Sequence, residues 1–332
     1  LTLYKPLGVI LFKRSFQSLE QARNLIQEIR QLCSRPQGKY FIRPVIAIDE
    51  EGGRVSRLPS PFPRGESAMS FANRNDFVGL KNQVLHQIFV AKALGVNCIL
   101  APVADILTQD NNPALGDRCF GNDAQTVSQC ALLVAQTLAA EGMLACAKHF
   151  PGHGNTTKDT HKEFATSLVT LETLQTREWI PFQNLIAMHI PMIMTGHLLL
   201  PHLDPTLPAT LSHTILNNYL RKQLGFQGLI LSDDLRMNAI ADFYNVQKNV
   251  ESSITEQVVS TKNGRDSDCY LPFAALDSLR AGCDIILSCL SIDKEKIIYE
   301  SFIKEMKTNP DFFNYLVEKA FKINTILLKN SY

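Results

Sequence analysis

Seven short apolar runs punctuate the chain, at Gly8–Phe12, Val45–Asp49, Cys98–Pro102, Leu144–Phe150, Met192–His197, Gly228–Asp233 and Asp284–Leu290. They are nearly continuous in hydrophobic residues, the pattern of strands covered on both faces of a parallel sheet. Between them, apolar residues recur at helical spacing. Leu19, Ala22, Leu25, Ile26 and Ile29 share one face of Leu19–Leu32, and Val78–Ala93 and Ala124–Glu141 behave alike. Such alternation builds parallel βα units. It predicts an α/β fold, a single (β/α)8 TIM barrel over residues 1–332 that lacks its first strand at the N-terminus of this chain. An open doubly wound sheet is the alternative, but the GxGxxG turn that would advertise it is missing after the first strand. Lys, Glu, Ser, Thr, Asn and Asp dominate residues 247–270, which read as a polar surface insertion.

Composition narrows the function classes. With 332 residues, 45% hydrophobic and 20% charged, the chain can bury a large core, which excludes disordered, collagen-like and coiled-coil architectures. Lys plus Arg (33) and Asp plus Glu (32) nearly cancel, so no basic field exists to hold nucleic acid. The longest apolar stretch, Pro191–Leu200, is broken by His197 and falls well short of a membrane span. Eight cysteines without a CxxC pair read as reduced thiols, and no secretory pattern opens the chain; together these predict a cytoplasmic protein.

In a βα barrel the chemistry sits where strands end. Here Val45–Asp49 runs into Glu50, Glu51, Gly52, Gly53 and Arg54, the fourth run ends around Lys148 and His149, the fifth in His197, and the sixth in Asp233 and Asp234. One such residue alone would be a helix cap or a solvated charge; four strand ends aiming ionisable groups at one rim are what acid–base or nucleophilic catalysis requires. The densest stretch runs from Lys148 to His161. Its histidines, His149, His153 and His161, are spaced by four and eight residues in a Pro- and Gly-rich loop, unlike the helical HExxH arrangement, so neither metal nor cofactor is expected. Asp159 and His161 stand at i and i+2, which in extended chain puts carboxylate and imidazole on one side as an acid–base dyad. Asp233 is the candidate nucleophile at the end of a buried strand. Asp234 faces the other way and serves equally as an N-cap for Leu235–Ala241, so the pattern leaves open which of the two meets the rim.

With these residues in place the chain resembles the family-3 glycoside hydrolases, and within them the bacterial β-N-acetylglucosaminidases of the NagZ type. The similarity rests on Ile48–Arg57 (IDEEGGRVSR), Gly116–Gly121 (GDRCFG), Lys148–Gly154 (KHFPGHG) followed by Asp159-Thr160-His161, Met194–His197, and Gly225–Gly228 through Ser232–Met237. It runs nearly end to end. The KHFPGHG segment with its Asp-x-His separates this group from the family's β-glucosidases, which draw their acid/base from another domain. The resemblance implies an enzyme: a retaining exo-β-N-acetylglucosaminidase that releases terminal β-linked N-acetylglucosamine from anhydro-muramyl peptides during cell-wall recycling. It further implies that Asp233 forms a covalent glycosyl-aspartate, that His161 is the acid/base with Asp159 as its partner, and that Asp49, Arg57, Arg118, Lys148 and His149 contact the sugar. The implied partner is a small-molecule glycan or muropeptide, and nothing in the sequence specifies an oligomeric state.

His197 matches a family strand end, but packing beneath the rim explains it equally well. Three features depart from the family pattern: Asn155 stands where many relatives have Asp, a strand usual upstream of Gly8–Phe12 is missing, and the 247–270 excursion is longer than the usual connection. Two rival functions follow from the same residues. A His acid/base places no second negative charge in the mouth, so phosphate would be tolerated in place of water, as in a phosphorylase. A non-catalytic sugar-binding barrel is the other; it predicts a damaged catalytic set, whereas Asp233, Asp159 and His161 are all present.

Overall fold

The computed structural model describes residues 6–37, 40–59, 61–156, 165–252, 269–289 and 292–329. Each of the seven apolar runs contains a strand: β1 (Gly8–Leu11), β2 (Val45–Ile48), β3 (Cys98–Ile99), β4 (Leu144–Phe150), β5 (Met192–Thr195), β6 (Leu229–Asp234) and β7 (Ile285–Leu287). They form one curled sheet in chain order, every neighbouring pair parallel, in registers such as Gly8 with Val45, Cys98 with Leu144 and Leu229 with Met192. Several runs extend past their strands. Cys98–Ile99 is followed by irregular chain, and β7 stops at Leu287. Among the described residues, β1 and β7 each pair on one side only.

Period-two alternation explains the layers. Ala47, Cys98, Leu100, Leu144, Cys146, Met192, Met194, Leu229 and Leu231 pack together on the concave face. Their neighbours Ile46, Ile48, Ile99, Ala145, Ala147, Ile193 and Ile230 face outward and join the large core under the helices. The helices Leu19–Cys33, Phe77–Leu94 and Ala124–Ala140 follow the predicted spans within two residues, and Ser18, Asp76 and Asp123 cap them by accepting the amides of Gln21, Gly79 and Thr126.

The first part of residues 247–270 is helical. The helix Asn238–Ser252 carries the chain through the first part, since Ile240, Phe243 and Tyr244 anchor it in a core cluster, and Tyr270 is buried and stacked on Tyr244. Residues 253–268 lie outside the described residues. No described helix is long and apolar enough to cross a membrane.

The helix Pro310–Lys329 packs Ile323, Ile326 and Leu327 against the concave-face residues. Its anchor is Asp284, 2% exposed, which meets Arg221 at 2.5 Å, Lys319 at 3.1 Å and Lys322 at 3.0 Å and accepts the Ile230 amide. Burial would raise the Asp284 pKa, but the three cations outweigh it and hold the carboxyl below its usual range. Asp284→Asn is therefore expected to cost roughly 3 kcal/mol at neutral pH, read from the denaturant midpoint. A depressed folded-state pKa contributes stability above the unfolded value of about 4, and that contribution is lost as pH falls through the folded value. The gap between wild type and variant should thus narrow in acid, and a gap that does not narrow would contradict the assignment.

Candidate active site

The carboxyl ends of the strands open into a cavity of about 440 Å³, within the range of small-ligand sites. Asp49, Arg57, Arg118, Lys148, His149 and Asp233 all line it, so the structure brings together six of the eight residues that the sequence singled out. Asp159 and His161 lie outside the described residues. Their segment leaves the described chain at Thr156 and re-enters at Ala165, which is buried and pairs with Leu198.

A buried ion network builds the polar wall. The Lys148 ammonium stands 2.8 Å from Asp49 Oδ1 and 2.6 Å from Glu51 Oε1. Arg118 grips the same Glu51 with Nε on Oε2 at 2.8 Å and Nη2 on Oε1 at 2.9 Å, while its Nη1 donates to the Ala114 carbonyl. The Lys148 and Glu51 side chains are 2% and 4% exposed, so each charge needs its partners. Burial would raise the Glu51 pKa, but Arg118 and Lys148 overcome that and hold it far below the carboxylate range. Burial would likewise lower Lys148, and Asp49 and Glu51 reverse the effect and keep it charged. The Lys148–His149 peptide is cis, and both side chains line the cavity.

Glu50 does not join the rim, although the sequence groups it with Asp49 and Glu51. It turns into the loop, where Oε2 accepts Ser56 Oγ and the amides of Arg57 and Leu58 and Oε1 accepts Gln87 Nε2. That clasp presents Arg57 to the cavity. The Arg57 Nε is buried and has no hydrogen-bond partner among the described residues. Arg54 ties the same loop to its neighbour, donating from Nη2 to the Leu115 and Ala114 carbonyls and pairing with Asp117 at 3.2 Å.

Asp233 and Asp234 both line the cavity, and the two differ in what their carboxylates touch. The pairing of β6 with β7 shifts register between Leu231 and Asp234. Asp233 Oδ1 accepts the Asp234 amide at 2.7 Å. Asp234 is not an N-cap of a helix beginning at Leu235, because the helix starts at Asn238; its Oδ1 instead accepts the amides of Arg236 and Cys289, both at 3.1 Å, and joins the ends of β6 and β7. His197 lies beneath the rim, fully buried between Thr210 Oγ1 at 2.8 Å and the Asp234 carbonyl at 3.0 Å. Asn155 hydrogen-bonds Thr108 Oγ1 at 3.2 Å.

Two residues escaped the sequence reading. Glu51 was visible only as one acid in a run of three. Asp105 was not singled out at all, yet it is fully buried, with Oδ2 at 2.7 Å from His149 Nδ1 and accepting the His149 amide, and Oδ1 accepting the His153 amide. The signal available for it was a carboxylate inside the apolar run Pro102–Leu107, since a buried charge needs a partner. Burial would raise the Asp105 pKa, and His149 and His153 outweigh it. Burial pushes His153 down to about 4, so that ring is neutral near pH 7. No group of three or more potential metal ligands forms among the described residues.

Residues 3–311 match the family model described as the glycosyl hydrolase family 3 N-terminal domain. A β-hexosaminidase of Xylella fastidiosa (strain M23) is 32% identical over 288 residues, covering 85% of this chain and 76% of the relative. Among solved structures, NagZ from Neisseria gonorrhoeae superposes with a TM-score of 0.71 at 30% identity, over 86% of this chain and 75% of that one. A family 3 β-N-acetylglucosaminidase from Paenibacillus sp. str. FPU-7 gives 0.81 at 27% identity, over 98% of this chain, which spans 57% of that protein's length. A parallel βα sheet with its ionisable cavity at the carboxyl ends of the strands, and a family match over nearly the whole chain, together show that the protein belongs to glycosyl hydrolase family 3 and is a glycoside hydrolase.

Proposed function

We propose that the protein is a retaining exo-β-N-acetylglucosaminidase whose nucleophile is Asp233. The observation that carries this reading is the placement of Asp233 at the carboxyl end of β6, in one cavity with Asp49, Arg57, Arg118, Lys148 and His149, while the neighbouring Asp234 carboxylate is taken up by the amides of Arg236 and Cys289. The names of the relatives, β-hexosaminidase and β-N-acetylglucosaminidase, support it. Asp49 accepts from sugar hydroxyls and Lys148 donates to them, and their mutual ion pair holds both rigid before substrate arrives. Arg57, which lines the same cavity, offers a further cationic donor.

The Asp233 carboxylate attacks the anomeric carbon while His161, oriented by Asp159, protonates the departing glycosidic oxygen. This leaves a glycosyl-aspartate. The same His161, now neutral, takes a proton from water, which attacks the anomeric carbon and releases Asp233 and the sugar with its configuration retained. On this reading the chain is one catalytic unit, its seven strands belong to a (β/α)8 barrel, and the substrate is an anhydro-muramyl peptide in cytoplasmic cell-wall recycling.

Hydrolysis of an aryl N-acetyl-β-glucosaminide is compared with that of the matching β-glucoside, with and without phosphate, and products are identified by mass. Free N-acetylglucosamine from the first substrate alone is expected. A sugar 1-phosphate would establish a phosphorylase, and no turnover by folded, full-length protein would favour the non-catalytic sugar-binding alternative. Asp233→Ala should lower kcat by several orders of magnitude with an unchanged Tm, and near-normal turnover would remove the nucleophile assignment. His161→Ala should reduce kcat/KM about 10²–10⁴-fold for saccharide leaving groups but little for activated phenols, whereas equal losses on both would count against an acid role.

A further inference from the structure

Asp105 touches both halves of the site without lining the cavity. Three N–H donors converge on it: the His149 amide at 3.0 Å and ring Nδ1 at 2.7 Å on one oxygen, and the His153 amide at 2.7 Å on the other. An ionised carboxylate only accepts. The His149 proton therefore sits on Nδ1, which leaves Nε2 as the ring atom available to the cavity that His149 lines.

The contact to His153 reaches the other half. His153 lies at the root of the segment that continues beyond Thr156 to Asp159 and His161. That root is fastened on every side: Asn112 Nδ2 donates to the His153 carbonyl at 3.0 Å, and the amides of Thr108 and Gln109 both donate to the Gly154 carbonyl at 3.2 Å. At Gly154 a Cβ would come within 1.5 Å of the Ile106 carbonyl oxygen, so the backbone approaches as closely as glycine allows.

We propose that Asp105 is a positioning residue: it fixes the Nδ1–H tautomer of His149, and so which ring nitrogen faces the sugar, while the His153 amide on its other oxygen holds the carboxylate in place. The inference rests on the N-acetylglucosaminidase reading of the site. An amide cannot replace the carboxylate, because it offers one acceptor oxygen and an NH2 group to three donors. In Asp105→Asn, either an N–H faces an N–H, or the amide donates to His149 Nδ1 and moves the ring proton to Nε2, the tautomer error that disables His–Asp pairs elsewhere.

Ring 15N NMR of the full chain in mildly alkaline buffer tests this, with His149→Gln identifying the His149 signals. Wild type should show protonated Nδ1 and bare Nε2 at His149, and Asp105→Asn the reverse wherever its NH2 group takes the side facing the ring. The Asn variant should lose about 10²–10⁴-fold in kcat/KM on an aryl N-acetylglucosaminide. Nε2–H in the wild-type protein overturns the proposal by itself, whether or not the variant folds. A folded Asp105→Asn with wild-type kinetics overturns it too. Wild-type protein that does not cleave the glycoside would count against the proposed function, while the tautomer measurement would still decide the role of Asp105.

Discussion

A lysine ammonium with 2% exposure is the constraint around which the upper face is organised. Lys148 projects from the end of β4 into a space where an unpaired charge would cost several kcal/mol. Asp49 and Glu51 answer it from the loop after β2, and Arg118, brought in from the segment after β3, neutralises the second acid. Three separate stretches are thereby held in one geometry. Removing any member would strand the others, so the wall of the cavity exists as a unit.

This arrangement makes the site rigid before substrate binds. Sugar hydroxyls are weak partners that water satisfies equally well, so donors and acceptors that pay no ordering cost on binding have the advantage. The same economy recurs behind the cavity, where Asp105 and Glu50 each satisfy several amides and so fix the chain segments that carry His149 and Arg57.

Much of this was legible in the sequence because strand and helix periods leave strong marks. The runs around Ile46, Cys146 and Ile230 are apolar on both parities, since one parity meets the helices and the other the concave face. Such doubling announces a parallel sheet, but it also hides direction, and it is the hydrogen bonds of Asp233 and Asp234 that distinguish the two acids. Buried acids were harder to read. Asp105 lies beyond its strand, and Glu50, Glu51 and Asp49 look alike in sequence while one shapes a loop, one bridges two cations and one lines the cavity. The polar composition of 247–270 concealed a helix whose anchoring residues, Ile240 through Tyr244, lie upstream of it.

The two charged clusters lie at opposite ends of the curled sheet, separated by the apolar filling of Ala47, Cys98, Cys146, Met194 and Leu231. They also differ in access to water: Lys322 in the lower cluster is 33% exposed, against 2% for Lys148 above. Mobile ions screen the first and barely reach the second. Rising ionic strength therefore weakens the Lys322 contact before it reaches Lys148, while the buried Asp284 keeps Arg221 and Lys319, so one end of the sheet gives up a single tie of its attachment to a saline environment and the other none.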